Sequence, residues 1–330
     1  MASTITLVRD DRGRGPFSRG NTIVIEPRTE EFADVGRDVR LCFERLGDPA
    51  GSPLLLVAGL GQQLVSWPTP LCDALGEGGF QIIRFDNRDT GRSTHSAAAP
   101  PGLRALLTGR YPSDTYGLHD MARDTVGLLD ALQIERAHVV GASMGGMIAQ
   151  TVASRWPSRV ESLTSIFSTT GAARIGRPAW STWIRMMSPG PTSAGEAADS
   201  DVAIFAHIGS HGYEQDTAWV REQATVAWAR DPRTDGIARQ LAAILATGDR
   251  TSELSRITAP TLVIHGDRDR MVAPSGGLAT HHAIAGSHLR IIAGMGHDYP
   301  RALWPELSSL IVDHARSADL QEYTDVSSTT

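Results

Sequence analysis

The stretch Val139-Val140-Gly141-Ala142-Ser143-Met144-Gly145-Gly146-Met147 decides the fold that the sequence predicts. It begins as a buried strand, turns on Ser143 and continues as a helix to about Arg155. Gly-x-Ser-x-Gly between a strand and a helix is the signature of a nucleophile elbow. Such a turn strains the serine backbone and brings strand and helix too close for side chains at positions 141 and 145. The alternative interpretation is chance, because the chain contains 33 glycines, so the motif has to be judged by its surroundings.

Strands and helices are predicted to alternate along most of the chain. Short strands at 32–35 and 39–46 form a hairpin-like pair, and the apolar run 53–58 is typical of a strand buried on both faces of a parallel sheet. This alternation predicts an α/β doubly wound, mostly parallel sheet with flanking helices. The other predicted strands are 80–85, 137–140, 160–167, 260–265 and 289–292, and the predicted helices are 70–75, 118–132, 144–155 and 303–315.

The chain divides into five predicted segments. Residues 1–30 lack lasting periodicity and are predicted to be a mobile N-terminal arm. Residues 31–170 and 258–316 are the first and second parts of the core α/β domain, 171–257 is a helical cap inserted between them, and 317–330 is a polar, disordered tail. The cap segment carries four of the seven tryptophans. These aromatic residues could present an apolar wall to a substrate, or they could simply pack small helices onto the core.

The composition excludes several classes of function. The 31 basic residues, none of them lysine, and the 37 acidic residues give a net charge of −6, without the basic field of a nucleic-acid-binding protein. Cys42 and Cys72 are too few for a disulfide framework and lack metal-ligand spacing. The N-terminus is charged where a signal peptide is apolar, and no run reaches the roughly 18 apolar residues of a membrane span. We therefore expect a cytoplasmic protein that binds neither nucleic acid nor membranes; its oligomeric state is not predicted.

Two loops require a choice between structure and chemistry. Gly59-Leu60-Gly61 does not continue as a dinucleotide-binding motif, because Leu64 occupies the position of the third glycine. Its backbone N–H groups are expected to face a ligand instead. The turn 86–93 carries carboxylates that could bind a metal ion, but aspartate and asparagine side chains that bond their own backbone, together with Gly91, favour a structural turn.

Three loops at the carboxyl ends of predicted strands carry the candidate chemistry. Ser143 follows one strand, Asp267 and Asp269 follow the first strand after the cap segment, and His297 follows the last strand. Ligands of such sheets bind beyond these strand ends. The chain order serine, acid, histidine is the one that α/β hydrolases use, unlike the orders of other serine hydrolases.

From about residue 31 to residue 316 the sequence resembles α/β hydrolases with a serine nucleophile. Within that family, the stretches 85–93, 139–147 and 294–297 are similar to those of the aclacinomycin methylesterase-like members, which are methyl esterases acting on polyketide antibiotics. One departure lies in the oxyanion loop, where the usual His-Gly is Ala58-Gly59. Because that loop acts through backbone N–H groups, the change need not abolish its function.

The resemblance and the chain order together imply a mechanism. Ser143 would attack a carbonyl carbon while His297 accepts its proton and later donates it to the leaving alcohol, tasks that suit a side chain titrating near neutral pH. The family pattern places the acid that orients the imidazole at Asp269, the second aspartate of its loop. The N–H groups of Leu60 and Met144 are expected to bind the oxyanion, each lowering the barrier by about 3 kcal/mol.

The first functional hypothesis is a serine carboxylic ester hydrolase that forms an acyl-enzyme with an apolar small molecule, such as a methyl ester or lactone of a polyketide-type metabolite. The same residues could instead serve C–C bond hydrolysis, perhydrolysis, or a lyase or cyclisation step. A non-catalytic receptor that uses only the pocket is a third hypothesis. No cofactor or metal ion is expected. Four other histidines lack comparable support and are interpreted as surface or packing residues: His207, His211, His281 and His282.

Overall fold

The computed structural model describes residues 29–113, 115–186, 188 and 190–328. The predicted N-terminal arm, residues 1–30, lies outside these residues except for Thr29 and Glu30. At the centre is a sheet of eight strands. They are β1 (Glu31–Asp34), β2 (Arg40–Gly47), β3 (Ser52–Val57), β4 (Phe80–Phe85), β5 (Ala137–Ala142), β6 (Val160–Ile166), β7 (Thr261–Gly266) and β8 (His288–Ile292).

The strands lie in the order β1-β2-β4-β3-β5-β6-β7-β8. β1 and β2 form an antiparallel hairpin at one edge, and β2 is also antiparallel to β4. Every later pair of neighbours is parallel. The predicted mostly parallel α/β sheet is thus confirmed, and its central strand β5 leads directly into the turn at Ser143.

Helices connect the strands and cover both faces of the sheet. They are α1 (Thr69–Glu77), α2 (Leu103–Thr108), α3 (Leu118–Ala131), α4 (Met144–Arg155), α5 (Trp180–Met186), α6 (Ala194–Ile208), α7 (Thr217–Arg230), α8 (Asp235–Thr247), α9 (Thr251–Leu254), α10 (Ser275–Ala283) and α11 (Trp304–Ser328). None of the described helices is long and apolar enough to cross a membrane.

The core consists of two apolar layers, one on each face of the sheet. In β3, Leu55 and Val57 belong to one layer and Leu54 and Leu56 to the other, and all four side chains are fully buried. Because alternate residues of a strand point to opposite faces, a continuous apolar run fills both layers. Helices α3 and α4 cover the first face, and α1 and α11 cover the second.

The segment between β6 and β7 contains α5 to α9 and, in its described part, no strand. Helices α6 and α7 pack against each other, and side chains from α5, α6, α7 and α8 line one cavity together with Ser143. The exact limits of the predicted cap, 171–257, and of the two core parts, 31–170 and 258–316, stay a prediction.

The C-terminal segment corrects one expectation. Residues 317–330 were expected to form a disordered polar tail, but α11 continues through them as far as Ser328. Contacts with the core extend past the predicted end of the helix: Ala318 is buried, and Asp319 lies 3.1 Å from the buried His138 of β5. These contacts could not be predicted from the sequence, because they are made by single side chains and not by a periodic apolar stripe along the helix.

Candidate active site

Ser143 occupies the sharp turn between β5 and α4. Its backbone has φ 56° and ψ −118°, a region that costs a non-glycine residue of order 1–3 kcal/mol. A Cβ atom at Gly141 would lie 2.2 Å from the carbonyl oxygen of Gly145, and one at Gly145 would lie 2.0 Å from that of Val57. Only glycine therefore fits at positions 141 and 145, two residues before and two residues after the serine. The turn is fastened by the Ser143 amide, which donates to the carbonyl of Ile166 at 2.9 Å.

His297 lies in the loop after β8 and reaches Ser143. Its Nε2 atom is 2.9 Å from Ser143 Oγ, and the imidazole is largely buried, with 8% of the residue exposed. Its backbone N–H donates to the carbonyl of Ile208, the last residue of α6, at 2.8 Å. The ring of Phe167 packs against the imidazole with centroids 4.5 Å apart. Both the backbone and the ring of His297 are thereby held in place.

Asp269 lies in the loop after β7, on the far side of the imidazole. Its Oδ2 atom is 2.7 Å from His297 Nδ1, while Oδ1 accepts hydrogen bonds from the backbone amides of Met271 and Val272, both at 2.8 Å. Burial would raise the pKa of Asp269, but attraction to His297 and hydrogen bonds from His265 and His297 outweigh it and lower the pKa to about 2. The carboxylate is thus held ionised and oriented.

The neighbouring Asp267 does not approach the histidine. Its Oδ1 accepts the backbone N–H of Gly294 at 2.6 Å, and 38% of its side chain is exposed. Of the two aspartates in this loop, Asp269 therefore contacts His297, whereas Asp267 binds the backbone of the loop that follows β8.

His265 is a site residue that the sequence analysis missed. It lies on β7, is fully buried, and places Nε2 3.5 Å from Asp269 Oδ2 and 2.9 Å from the carbonyl oxygen of Val272. A backbone carbonyl only accepts, so Nε2 carries the proton and points toward the Asp269 loop. No sequence pattern signals this role, because a histidine inside an apolar strand resembles any buried polar residue.

Leu60 and Met144 both line the cavity next to Ser143. Met144 is the first residue of α4, so no preceding carbonyl of the helix can accept its N–H. A bulky substitution at Gly59 would meet Ser143, since a Cβ there would lie 3.3 Å from the serine Cβ atom. The loop from Ala58 to Gly61 therefore runs directly past the hydroxyl.

Side chains from outside the loop from Ala58 to Gly61 hold this loop in place. Asn87 donates to the Ala58 carbonyl at 3.0 Å. From α8, Gln240 accepts the Gly61 N–H at 2.8 Å through Oε1 and donates to the Arg88 carbonyl at 2.7 Å through Nε2. Gln240 is fully buried and was not recognised from the sequence, since its partner is 179 residues away.

A cavity of about 690 Å³ opens above Ser143 and His297. Its volume lies within the roughly 300–1,000 Å³ of small-molecule sites. The wall combines apolar side chains of the core loops and of α5 to α8, and of the four tryptophans in the predicted cap two face the cavity. The aromatic residues of the wall are Phe167, Trp183, Phe205, Trp219, Tyr299 and Trp304.

The turn 86–93 is bound to the rest of the protein by Asp86. This fully buried carboxylate accepts the amides of Leu64 at 2.7 Å and Arg92 at 2.9 Å, and it pairs with Arg230 of α7 at 2.8 Å. Arg230 also bonds Glu30 at 2.8 Å. Within the described ranges, no three His, Cys, Asp or Glu side chains are grouped so that they could hold a metal ion.

Comparisons with known proteins agree with this architecture. Residues 52–299 match the family described as the alpha/beta hydrolase fold. The chain is 31% identical to rhodomycin D methylesterase of Streptomyces peucetius, over 85% of this chain and 96% of the relative. It is 26% identical to the 2-hydroxy-6-oxononadienedioate/2-hydroxy-6-oxononatrienedioate hydrolase of Klebsiella pneumoniae, over 82% and 90%. The enol-lactonase of Burkholderia xenovorans LB400 superposes with a TM-score of 0.67 at 24% identity, covering 86% of this chain and 99% of that structure.

Proposed function

Because the chain belongs to the α/β-hydrolase fold family, we propose that it is a serine carboxylic ester hydrolase whose catalytic residues are Ser143, His297 and Asp269. The observation that carries this proposal is the continuous hydrogen-bonded line from Ser143 Oγ to His297 Nε2 at 2.9 Å and from His297 Nδ1 to Asp269 at 2.7 Å. Serine hydrolases of unrelated folds share this arrangement.

In the proposed reaction, Ser143 Oγ attacks the ester carbonyl carbon and passes its proton to His297 Nε2. The N–H groups of Leu60 and Met144 donate to the oxyanion that forms. When the tetrahedral intermediate collapses, the C–O bond to the alcohol breaks and the alcohol leaves with the proton from His297. Water then attacks the acyl-enzyme by the same route, which releases the acid and restores Ser143.

The substrate that we propose is a methyl ester or lactone of a polyketide-type metabolite. Two observations support it: the apolar cavity has room for a molecule of several rings, and the Streptomyces peucetius relative is named as a methylesterase of rhodomycin D. Most of the cavity wall can offer only apolar contact, so the reacting carbonyl has to be positioned mainly by shape and by the oxyanion loop.

A fluorophosphonate probe and a panel of p-nitrophenyl and methyl esters test this proposal. We expect the wild-type protein to be labelled covalently and to hydrolyse the esters, and we expect Ser143→Ala to do neither. Asp267→Asn serves as a folded control that should keep both properties. If Ser143→Ala hydrolyses the esters as fast as the wild type, Ser143 is not the nucleophile.

A second candidate is C–C bond hydrolysis by the same three residues. It is favoured by the likeness to the Klebsiella pneumoniae hydrolase, which is named for a hydroxy-oxo-dicarboxylate and not for an ester. A 2-hydroxy-6-oxo-dienoic acid in the substrate panel separates the two candidates. Turnover of this acid together with inertness toward every ester would favour C–C bond hydrolysis.

A further inference from the structure

Helix α6 lines the cavity with a face that carries one carboxylate and is otherwise apolar. Asp201, Ile204, Phe205 and Ile208 all line the cavity, and their spacing places them on one face of the helix. Three of these four residues are apolar, so Asp201 is the exception on that face.

The carboxylate of Asp201 has no partner in the described part of the protein: no hydrogen bond or ion pair reaches it. By contrast, Asp199 in the same helix pairs with Arg221 on the surface. Two other acids of the cavity wall are engaged, since Asp216 pairs with Arg301 at 2.6 Å and Asp298 accepts the hydroxyl of Ser210.

Burial raises the pKa of Asp201 to about 6, and no neighbouring charge adds to or opposes this effect. A partly desolvated carboxylate without a partner costs free energy. A cationic ligand would remove that cost by supplying the missing charge and hydrogen-bond donors.

The position of Asp201 relative to the end of α6 that holds His297 follows from helix geometry. The carbonyl at the end of α6, that of Ile208, accepts the His297 N–H at 2.8 Å. Asp201 precedes Ile208 by seven residues, and at 1.5 Å per residue this is about 10 Å along the helix axis. Asp201 therefore lies about two helical turns from the end of α6 that contacts His297.

We propose that Asp201 is a specificity-determining residue that binds a cationic amine of the substrate in the part of the cavity that α6 lines. This inference rests on the proposed function, because it assigns an additional group to the substrate of the same site. The substrate class is then an apolar ester that carries a protonated amine at the end remote from the ester.

The experiment uses methyl esters of nonanoic acid that carry an ammonium, a hydroxyl or a methyl group at the far end of the chain. At pH about 8 the carboxylate is ionised and the amine protonated. A charge-assisted hydrogen bond between the ammonium group and Asp201 should raise kcat/KM for the ammonium ester. We expect the wild type to prefer this ester over the methyl-terminated ester by at least about tenfold in kcat/KM. The preference should appear in KM, because the pair forms equally in the ground state and the transition state.

Asp201→Asn should reduce the ratio of kcat/KM for the ammonium ester to kcat/KM for the methyl-terminated ester, because the asparagine carries no charge. The control is Asp199→Asn, since Asp199 lies on the same helix but is paired at the surface. This control should keep the wild-type ratio. Equal values for the ammonium and methyl-terminated esters in the wild type would overturn the inference. A hydroxyl-terminated ester that matched the ammonium ester would overturn it as well, because a neutral donor would then suffice.

Calorimetric binding of the same three compounds to Ser143→Ala separates this inference from the proposed function. If the wild type hydrolyses none of the esters while Ser143→Ala still binds the ammonium ester preferentially, the ester-hydrolase proposal fails and the Asp201 site stands. If hydrolysis occurs but binding shows no preference, the Asp201 site fails and the hydrolase proposal stands.

Discussion

Replacing Asp269 by asparagine is expected to lower kcat by about 10⁴-fold, equivalent to about 5 kcal/mol in the barrier. The reason lies in the hydrogen bonds on the two sides of the carboxylate. Oδ1 accepts the amides of Met271 and Val272, and Oδ2 faces His297 Nδ1. An asparagine has to turn its oxygen toward the two amides, because its NH₂ group would otherwise meet two other donors.

The NH₂ group of the introduced asparagine would then face His297 Nδ1, and that nitrogen could only accept. The proton of the neutral imidazole would move to Nε2, which faces Ser143 Oγ. A protonated Nε2 cannot remove the proton of the serine, so the variant would be folded but held in the wrong tautomer. The assay is steady-state hydrolysis of a p-nitrophenyl ester, with circular dichroism to confirm folding.

Asp267→Asn is the matched control, because it makes the same chemical change two residues away. An asparagine oxygen can still accept the Gly294 amide, so kcat should change by no more than about twofold. The reasoning is refuted if Asp267→Asn loses activity while Asp269→Asn keeps it. Activity of Asp269→Asn within about tenfold of the wild type would refute the tautomer argument by itself.

The same substitution has a consequence for stability in acid. The pKa of Asp269 is lowered to about 2 from its ordinary value of 3.8, so ionisation of Asp269 favours the folded state above pH about 4, and this contribution is lost as the pH falls toward 2. The wild type should therefore lose up to about 1.4 kcal/mol per pH unit more than Asp269→Asn in this window. Urea unfolding at a series of pH values from about 5 to about 2 measures the difference.

Two further substitutions test the contacts between the helices over the cavity and the core. Gln240→Leu removes the acceptor of the Gly61 amide and should displace the proposed oxyanion loop. We expect kcat to fall by about 10- to 100-fold. Gln240→Glu keeps the acceptor and should retain more activity in the same ester assay. Arg230→Met leaves the buried carboxylate of Asp86 without its cation and should lower the free energy of unfolding by about 3–5 kcal/mol, whereas Arg221→Ala, at an exposed pair, should change it by less than about 1 kcal/mol in the same urea titration.

The parts of the fold that could be predicted are those with a local pattern. The limits of α4 follow from the turn at Ser143 and from Pro157, and the buried strands follow from continuous apolar runs such as that of β3. That Ser143, Asp269 and His297 would lie together could be predicted as well, because parallel strands end at the same edge of a sheet.

The contacts that could not be predicted are made by single polar side chains over long distances in sequence. Gln240 and His265 are ordinary residues of a helix and a strand until the fold brings Gly61 and Asp269 beside them. The end of α11 belongs to the same class, since Asp319 meets His138 only in the folded chain. Periodicity reports which face of an element is buried, but it does not report which polar group is met there.

The helices that form the cavity wall also hold two groups of the proposed active site, and this predicts how variants of the wall should behave. The carbonyl at the end of α6 holds the backbone of His297, and Gln240 of α8 holds the proposed oxyanion loop through Gly61. A substitution that shifts either helix therefore moves a group of the proposed active site together with the cavity wall. Such variants should change kcat and KM together, while truncation of a side chain that only faces the cavity should act mainly on KM.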